Sequence, residues 1–342
     1  MTEGSRSADG APAATLPRFS AVVIHWNDLD NLVRLFESWD GGPEWELIVV
    51  DNSGGARGHL GAQADRARWV EPEGDSLERN LGFGGGANRG AAEARGDWLL
   101  ILNPDARPEP GALATLAEAT ERYPDSGGLV PAMVDGVGEP LHRWQLQHLP
   151  SRWDLLRKTL PKVPELGSPI PPASGAAIEQ PAAAVLMLRR APFEALGGFD
   201  PGFHPAWYED VDLARRYADR TNLGEGGRFR YLPSARFVHL GGETVGSLGP
   251  DYHWIHFRNL DRFLRKHGGW LGVPVLAGRL GMIVGALVRM VDALLRGDGV
   301  RRRGQLRLLA GVLSGFRAPR RLRELTEPLG PESGRGDDGA IR

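Results

Sequence analysis

Leu47-Ile48-Val49-Val50-Asp51-Asn52-Ser53-Gly54 decides the fold of this chain. The candidate strand Glu46–Val50 is mostly apolar and β-branched, and it stops abruptly on a polar turn of Asp, Asn, Ser and Gly. The same pattern recurs on either side. Upstream, the apolar run Phe19–Ile24 ends on His25-Trp26-Asn27; downstream, Asp97–Leu102 ends on Asn103-Pro104-Asp105. Arg68–Val70 adds a shorter strand. Between them Leu29, Leu32, Val33, Leu35 and Phe36 fall at helical spacing, Ala87–Arg95 is a second helix, and Glu109–Arg122 a third. Pro110 sits in the first turn of that third helix, where a missing N–H costs little. Strands alternating with helices predict βαβ units, and so an α/β fold with a mainly parallel sheet flanked by helices.

In open α/β sheets ligands bind beyond the carboxyl ends of the strands. The three polar endings therefore place a polar-ligand site at one sheet edge. Gly82-Phe83-Gly84-Gly85-Gly86-Ala87 has the G-x-G-x-x-A spacing of a dinucleotide loop, but that loop must directly follow a strand. About eleven residues separate it from Val70, so the context is wrong. The glycines do allow close backbone approach to a ligand, with N–H groups at the start of the helix Ala87–Arg95. Asp105, behind Pro104, can hold Mg²⁺ or Mn²⁺ and bridge it to a ligand diphosphate; aspartate is equally an ordinary turn residue.

The second half is less regular. The proline-rich stretch from Gln147 to Pro181 suits a long surface loop. Ala182–Leu188, Arg228–Leu232 and Arg236–His239 look like strands, and Tyr208–Ala218 a helix. Trp207-Tyr208-Glu209-Asp210-Val211-Asp212 packs three carboxylates into the helix start beside two aromatic rings that would suit a sugar. Acids favour a helix N-terminus, and Asp212 with Arg216 makes an i,i+4 pair. One of the three is equally a candidate general base. His239, before Gly241-Gly242, is a candidate metal ligand or a structural histidine.

Composition sets the outer limits. At 342 residues the chain holds two domains or one large domain with appendages. It has no cysteine, which excludes disulfides, thiolate catalysis and cysteine-held metals and makes a reducing cytoplasm the simplest home. The first twenty residues lack an apolar run, so no secretory signal is expected. Net charge is −2, yet Arg258–Arg323 carries 15 basic against 3 acidic residues. After Asp251 the chain is expected to form three helices: Tyr252–Lys266, Trp270–Leu295 and Val300–Gly315. Trp270–Leu295 is apolar but interrupted by Arg279, Arg289 and Asp292, too often to span a bilayer. Peripheral attachment at the inner face of a membrane, or packing on the protein or a second subunit, are the expectations. No nucleic-acid motif accompanies the arginines, so no nucleic-acid partner is expected.

Taken together, these pieces resemble the inverting glycosyltransferase family 2, in its rhamnosyltransferase-like branch. The matching residues are Val49–Ser53, Asn80–Asn88, Leu102–Asp105, Gly197-Gly198-Phe199-Asp200 and Glu209–Leu213, in the family's order across roughly Phe19 to His267. The resemblance implies a GT-A fold and a nucleoside-diphosphate sugar donor, with dTDP-rhamnose first among the candidates. It implies a lipid-linked or polysaccharide acceptor, as in cell-wall or polysaccharide biosynthesis. By the same resemblance Asp51 contacts the nucleobase, and Asn27, Asn80, Gly82, Phe83, Asn88 and Asn103 line the donor site. Asp105 and His239 hold Mg²⁺ or Mn²⁺, Asp210 is the base, and Trp207, Tyr208 and Glu209 meet the acceptor. The first strand ends His25-Trp26-Asn27 where the family commonly has Asn-Tyr-Asn, and Asn103 stands for the first aspartate of the metal motif. The implied organisation is a tail at 1–17, a catalytic domain at 18–257, a basic amphipathic helical extension at 258–325 and a second tail at 326–342. Rival readings are a glycoside hydrolase, a nicotinamide dehydrogenase, or a non-catalytic sugar-nucleotide-binding module.

Overall fold

The computed structural model describes residues 17–74, 79–160, 170–220, 229–241, 251–271 and 275–317. Residues 1–16 and 326–342 of the expected tails, Gly242, and the arginines beyond 317 lie outside them.

Among the described residues the strands are β1 (Phe19–His25), β2 (Trp45–Asp51), β3 (Arg68–Val70), β4 (Trp98–Leu102), β5 (Ala106–Pro108), β6 (Gly128–Val134), β7 (Leu146–Gln147), β8 (Ala177–Ile178), β9 (Gln180–Pro181), β10 (Val185–Arg189) and β11 (Phe229–His239). The α-helices are α1 (Leu29–Ser38), α2 (Ala56–His59), α3 (Gly82–Glu93), α4 (Ala112–Arg122), α5 (His142–Gln145), α6 (Arg152–Arg157), α7 (Arg190–Ala195), α8 (Glu209–Asp219), α9 (Tyr252–Leu271), α10 (Val275–Leu295) and α11 (Gly299–Leu313). The main sheet runs β3-β2-β1-β4-β10-β6-β11-β5, with β8 also on β11, and β7 pairs β9 separately.

The half from β3 to β4 is parallel, and β10 runs antiparallel between β4 and β6. β1 and β4 are buried along their whole length, as a sheet covered on both faces requires. α1 and α4 cover one face with Leu32, Leu35, Phe36, Leu113 and Leu116. α3 and α8 contribute Ala87, Ala91, Leu213 and Ala214 to the core on the other. The pairing sets His25 opposite Asp51 and Val23 opposite Leu102, so the three polar strand endings share one edge.

Several elements differ from expectation. α3 begins at Gly82, so the glycine run is helix, not a loop before Ala87. Gly84, Gly86 and Gly90 are buried on it, against Phe199, Ile24 and Val22, and let the helix lie close to the sheet. β6, a strand inside the sheet, carries no clear strand signal, because Gly128 and Pro131 interrupt it. Its partner β11 bulges between Leu232 and Arg236, where Pro131 has no N–H to give. That bulge also joins the two expected strands Arg228–Leu232 and Arg236–His239 into one. Within the expected loop Gln147–Pro181, Ser151 and Asp154 form a reciprocal capping box that starts α6. The third helix starts at Ala112, after Gly111 in the left-handed region (φ 79°).

The C-terminal helices share a third core with residues from the preceding part of the chain. Trp254, Leu260 and Phe263 of α9 and Met282 of α10 pack with Leu155, Phe203, Tyr208 and Val211. The boundary expected between residues 257 and 258 falls inside α9. Asp212 ties α8 to α9. It is fully buried and accepts from Arg216 at 2.8 Å, as the i,i+4 spacing implied, and also from Lys266 at 2.7 Å and His267 at 2.8 Å.

Burial raises the pKa of the Asp212 carboxyl, but the bonds from His267, Lys266 and Arg216 outweigh it and hold the group at about 2. A folded-state value below the unfolded one stabilises the fold above the ordinary carboxylate range and loses that contribution as pH falls. Asp212→Asn should therefore lower stability by about 1–3 kcal/mol at neutral pH, less than a fully buried pair because Lys266 and Arg216 are partly solvated. Urea unfolding checks this: the gap to wild type should narrow as pH drops from about 4 toward about 2. A gap that does not change with pH would contradict the assignment.

Candidate functional site

A cavity of about 510 Å³ opens at the polar edge of the sheet. Of the residues singled out in the sequence, Asn80, Gly82, Phe83, Asn103, Asp105, Trp207, Glu209, Asp210 and His239 line it. Asn27, Asp51, Asn88 and Tyr208 are not among its lining residues.

Asp51 is fully buried at the end of β2. Its Oδ1 accepts from the Ser53 N–H at 3.1 Å, the Ser53 hydroxyl and the Gly54 N–H at 2.9 Å each, and pairs with His25 Nδ1 at 2.9 Å; Oδ2 accepts from the Ala56 N–H at 2.8 Å. Despite burial, the bonds from His25, Ala56 and Ser53 hold its carboxyl far below the usual range. Asp51 thus shapes the turn after β2, and Trp26 and Asn52 are the groups from these two strand ends that reach the cavity wall. Asn27, in the left-handed region, donates its N–H to Ser53 Oγ. Asn52 donates to the Gly82 carbonyl at 3.2 Å and so clamps the loop before α3.

Gly82 has φ +69°, and a Cβ there would press on His204 and the Pro205 carbonyl, so only glycine fits. Two N–H groups at this helix start are already taken, by Asn80 Oδ1 and the Pro205 carbonyl. Asn80 Nδ2, in contrast, is a buried donor at the cavity with no partner among the described residues. Asn88 bridges the N–H and carbonyl of Phe199 at 2.9 and 2.8 Å, fastening α3 to the Gly197–Asp200 turn.

At the end of β4, Asp105 accepts from the Gly241 N–H at 3.2 Å, and its Oδ1 stands 3.5 Å from His239 Nε2. His239 comes from the end of β11 and stacks on Trp144. Its Nε2 is buried without a hydrogen-bond partner among the described residues, and burial pushes its pKa down against the pull of Asp105. A neutral imidazole and a carboxylate converging in this way are oxygen and nitrogen donors of the kind Mg²⁺ or Mn²⁺ accepts. Among the described residues no cluster of three or more such side chains exists.

The acidic end of α8 forms the remaining wall. Trp207 and Tyr208 lie in the left-handed region, at φ 75° and 73°, which costs about 1–3 kcal/mol for each non-glycine residue. Asn259 of α9, fully buried, holds this corner: its Nδ2 reaches the carbonyls of Phe203 at 2.9 Å, Ala206 at 2.7 Å and Trp207 at 3.3 Å. The helix that follows points Glu209 and Asp210 into the cavity while Asp212 faces α9. Glu209 is driven well up from the usual carboxylate range by burial and by Asp210, and its Oε2 has no hydrogen-bond partner among the described residues. Burial raises Asp210 as well, but the Val211 N–H and Lys158 work against that and favour its ionised form.

Lys158 had no signal in the sequence. It follows α6, inside what looked like a surface loop, and its Nζ lies 5.8 Å from the Tyr208 ring centroid. Burial lowers its pKa while Asp210 and Asp154 raise it. His256 cannot share this charge: burial, Lys158, His253 and Arg289 push it down to about 3. Tyr252 and Trp144 are further cavity residues from outside the motifs, the first packed edge-on against Trp207.

The fold and this cavity define a class. A mannosyltransferase from Pyrobaculum calidifontis, solved with GDP-Man and Mn²⁺, is similar with TM-score 0.50 and 16% identity over 91% of this chain and 90% of its own. GalNAc-T7, solved with UDP, GalNAc and Mn²⁺, is similar with TM-score 0.51 and 16% identity over 74% of this chain and 48% of its own. The chain has the GT-A glycosyltransferase fold. Residues 20–186 match Glycosyl transferase family 2. The N-acetylglucosaminyl-diphospho-decaprenol L-rhamnosyltransferase of Mycobacterium tuberculosis is 29% identical over 256 residues, 68% of this chain and 78% of the relative. The succinoglycan biosynthesis protein ExoO of Rhizobium meliloti is 33% identical over 111 residues, 31% of this chain and 30% of its own. The family 2 match over residues 20–186 and the rhamnosyltransferase relative together support a rhamnosyltransferase-like glycosyltransferase.

The pairing of Lys158 with Asp210 makes a pH prediction. If Asp210 must be ionised to work, activity falls as pH drops through its raised pKa. Lys158→Met removes the cation that opposes that rise, so the acid limb of the kcat profile should move to higher pH, with the plateau less affected. An unmoved acid limb would separate Lys158 from the base.

Proposed function

We propose that this glycosyltransferase moves a sugar with inversion from a nucleoside-diphosphate donor, L-rhamnose from dTDP-rhamnose, to a hydroxyl of a lipid-linked saccharide in the cytoplasm. The observation that carries the proposal is one cavity lined by both an Asp105–His239 pair and a Glu209–Asp210 pair. The rhamnosyltransferase relative, whose printed name specifies a diphospho-decaprenol acceptor, supports the choice of sugar and of lipid.

Asp210 accepts the proton of the acceptor hydroxyl as its oxygen attacks the anomeric carbon. The bond from that carbon to the diphosphate oxygen breaks, and the nucleoside diphosphate leaves with the electron pair. A single displacement needs no covalent carboxylate nucleophile. Glu209, whose neutral form burial and Asp210 favour, donates a hydrogen bond to the acceptor and leaves the proton transfer to Asp210. Asn80 Nδ2 and Asn103 bind the donor, and Trp207 supplies a flat face to the acceptor sugar. Asp105 and His239 would hold a divalent cation, a role supported by the orphaned His239 Nε2. When bound, that cation neutralises charge on the departing diphosphate.

Incubation of the full chain with dTDP-rhamnose, a lipid-linked N-acetylglucosaminyl diphosphate and Mg²⁺ or Mn²⁺ should release dTDP and add one deoxyhexose of inverted anomeric configuration to the lipid. Asp210→Asn should cut kcat by about 10²–10⁴-fold while donor binding persists. Asp105→Ala should lose most activity and the response to metal while remaining folded. Full turnover in excess EDTA would remove the metal assignment. A crippled Glu209→Gln beside a mild Asp210→Asn would move the base to Glu209. Donor binding without turnover across a broad acceptor panel would leave a binding module.

A further inference from the structure

Helix α10 presents a face that the catalytic cavity does not use. Leu276, Leu280, Leu287, Val291, Leu294 and Leu295 are between 50% and 83% exposed. At helical periodicity they fall within a sector of about 100°. Arg279, Arg289, Asp292 and Arg296, the charged residues of the surrounding sequence, all fall outside that sector. The stripe runs for about 29 Å at the rise of an α-helix. An exposed aliphatic surface of this length is unusual on a free protein and marks an interaction site.

The opposite side of α10 is fixed. Met282, Ala286 and Ala293 are buried, and a Cβ on Gly285 would collide with the Thr159 carbonyl. Arg289 donates to that same carbonyl and to Gln305 of α11. The helix therefore cannot roll its leucines inward. At the C-terminal border of the stripe stand Arg296 and the exposed run Arg301, Arg302 and Arg303. Among the described residues no helix is long and apolar enough to cross a membrane.

We propose that this face lies in the headgroup–acyl boundary of an anionic lipid bilayer, with the arginines of the α10–α11 corner on lipid phosphates. An apolar sector bordered by arginine, on a helix too interrupted to span, is the pattern of a helix lying in the interface plane. A second copy offers that border little: the nearby Asp292 and Asp298 already pair with Arg296 and Arg301. The placement suits a lipid-linked acceptor, because α10 packs through Thr159 on the segment carrying Lys158, beside Asp210. That last link rests on the proposed reaction; the surface itself does not.

The test is co-sedimentation of the full chain with vesicles of phosphatidylcholine alone or mixed with phosphatidylglycerol, at low and high salt. Wild type should bind the anionic vesicles at least tenfold more tightly than the neutral ones, and lose affinity with salt. The variant Leu280→Asp/Leu287→Asp/Val291→Asp, at exposed positions, should keep its circular dichroism and melting temperature and lose vesicle binding. Arg301→Gln/Arg302→Gln/Arg303→Gln should lose on the order of 100-fold of the anionic affinity. Wild type that stays in the supernatant with both vesicles, or an aspartate variant that binds as before, overturns the proposal. A dimer by sedimentation velocity that the aspartate variant dissolves, without vesicle binding, assigns the face to a second copy and also overturns it. Nucleoside diphosphate release with a soluble acceptor is read alongside. Vesicle binding without any sugar transfer supports this surface and overturns the proposed reaction.

Discussion

The buried amide of Asn259 holds the corner on which the candidate site depends. Two consecutive non-glycine residues, Trp207 and Tyr208, adopt the left-handed conformation just before α8, a geometry that only surrounding structure can maintain. Asn259 supplies donors to three carbonyls of that corner from a position with no access to water. Each of those carbonyls would otherwise lose its partner inside the protein, where an unmet polar group costs about 1–3 kcal/mol. The corner in turn aims the first turn of α8, so a residue of the C-terminal helices governs where the acidic pair points. For this reason α9 is part of the unit that forms the cavity and not an appendage to it.

The acidic triplet at the start of α8 is divided by environment. Asp212 turns toward α9 and meets three cationic or histidine partners, which makes it a strongly ionised structural anchor. Glu209 and Asp210 turn toward the cavity, where removal from water favours their neutral forms. Lys158 opposes this only for Asp210. The two neighbouring carboxyls therefore differ in environment, Asp210 alone having a nearby cation that favours its ionised form. Asp105 and His239 form a second polar pair, built from the ends of β4 and β11.

The parallel half of the sheet was legible because its signal is local. Runs such as Phe19–Ile24 and Leu47–Val50 have the length and β-branched content of strands covered on both faces, and their polar endings mark the ligand edge without any knowledge of packing. The glycine run before Asn88 was legible as a place of close approach, but not as helix, because glycine has no helical preference to read. β6 was hidden by Pro131, whose missing N–H is harmless only because β11 bulges opposite it. Asp51 shows a different limit. Its position at a strand end was plain, but four hydrogen bonds from the turn after β2 and a fifth contact from His25 of β1 take up its carboxylate, and only the folded chain reveals this.

The chain by itself determined the α/β class, the sheet edge that carries the cavity, and most of the polar residues lining it, including Asp105, Glu209, Asp210 and His239. These follow from periodicity and strand endings, which are properties of short segments. The tertiary structure alone decided that Lys158 stands beside Asp210, that Asn259 and Asp212 weld α9 to α8, and that the leucines of α10 face outward. Such relations join residues about 50 to 130 positions apart, and no local preference encodes them. They exist because burying one face of each helix leaves only one arrangement in which the remaining polar groups find partners.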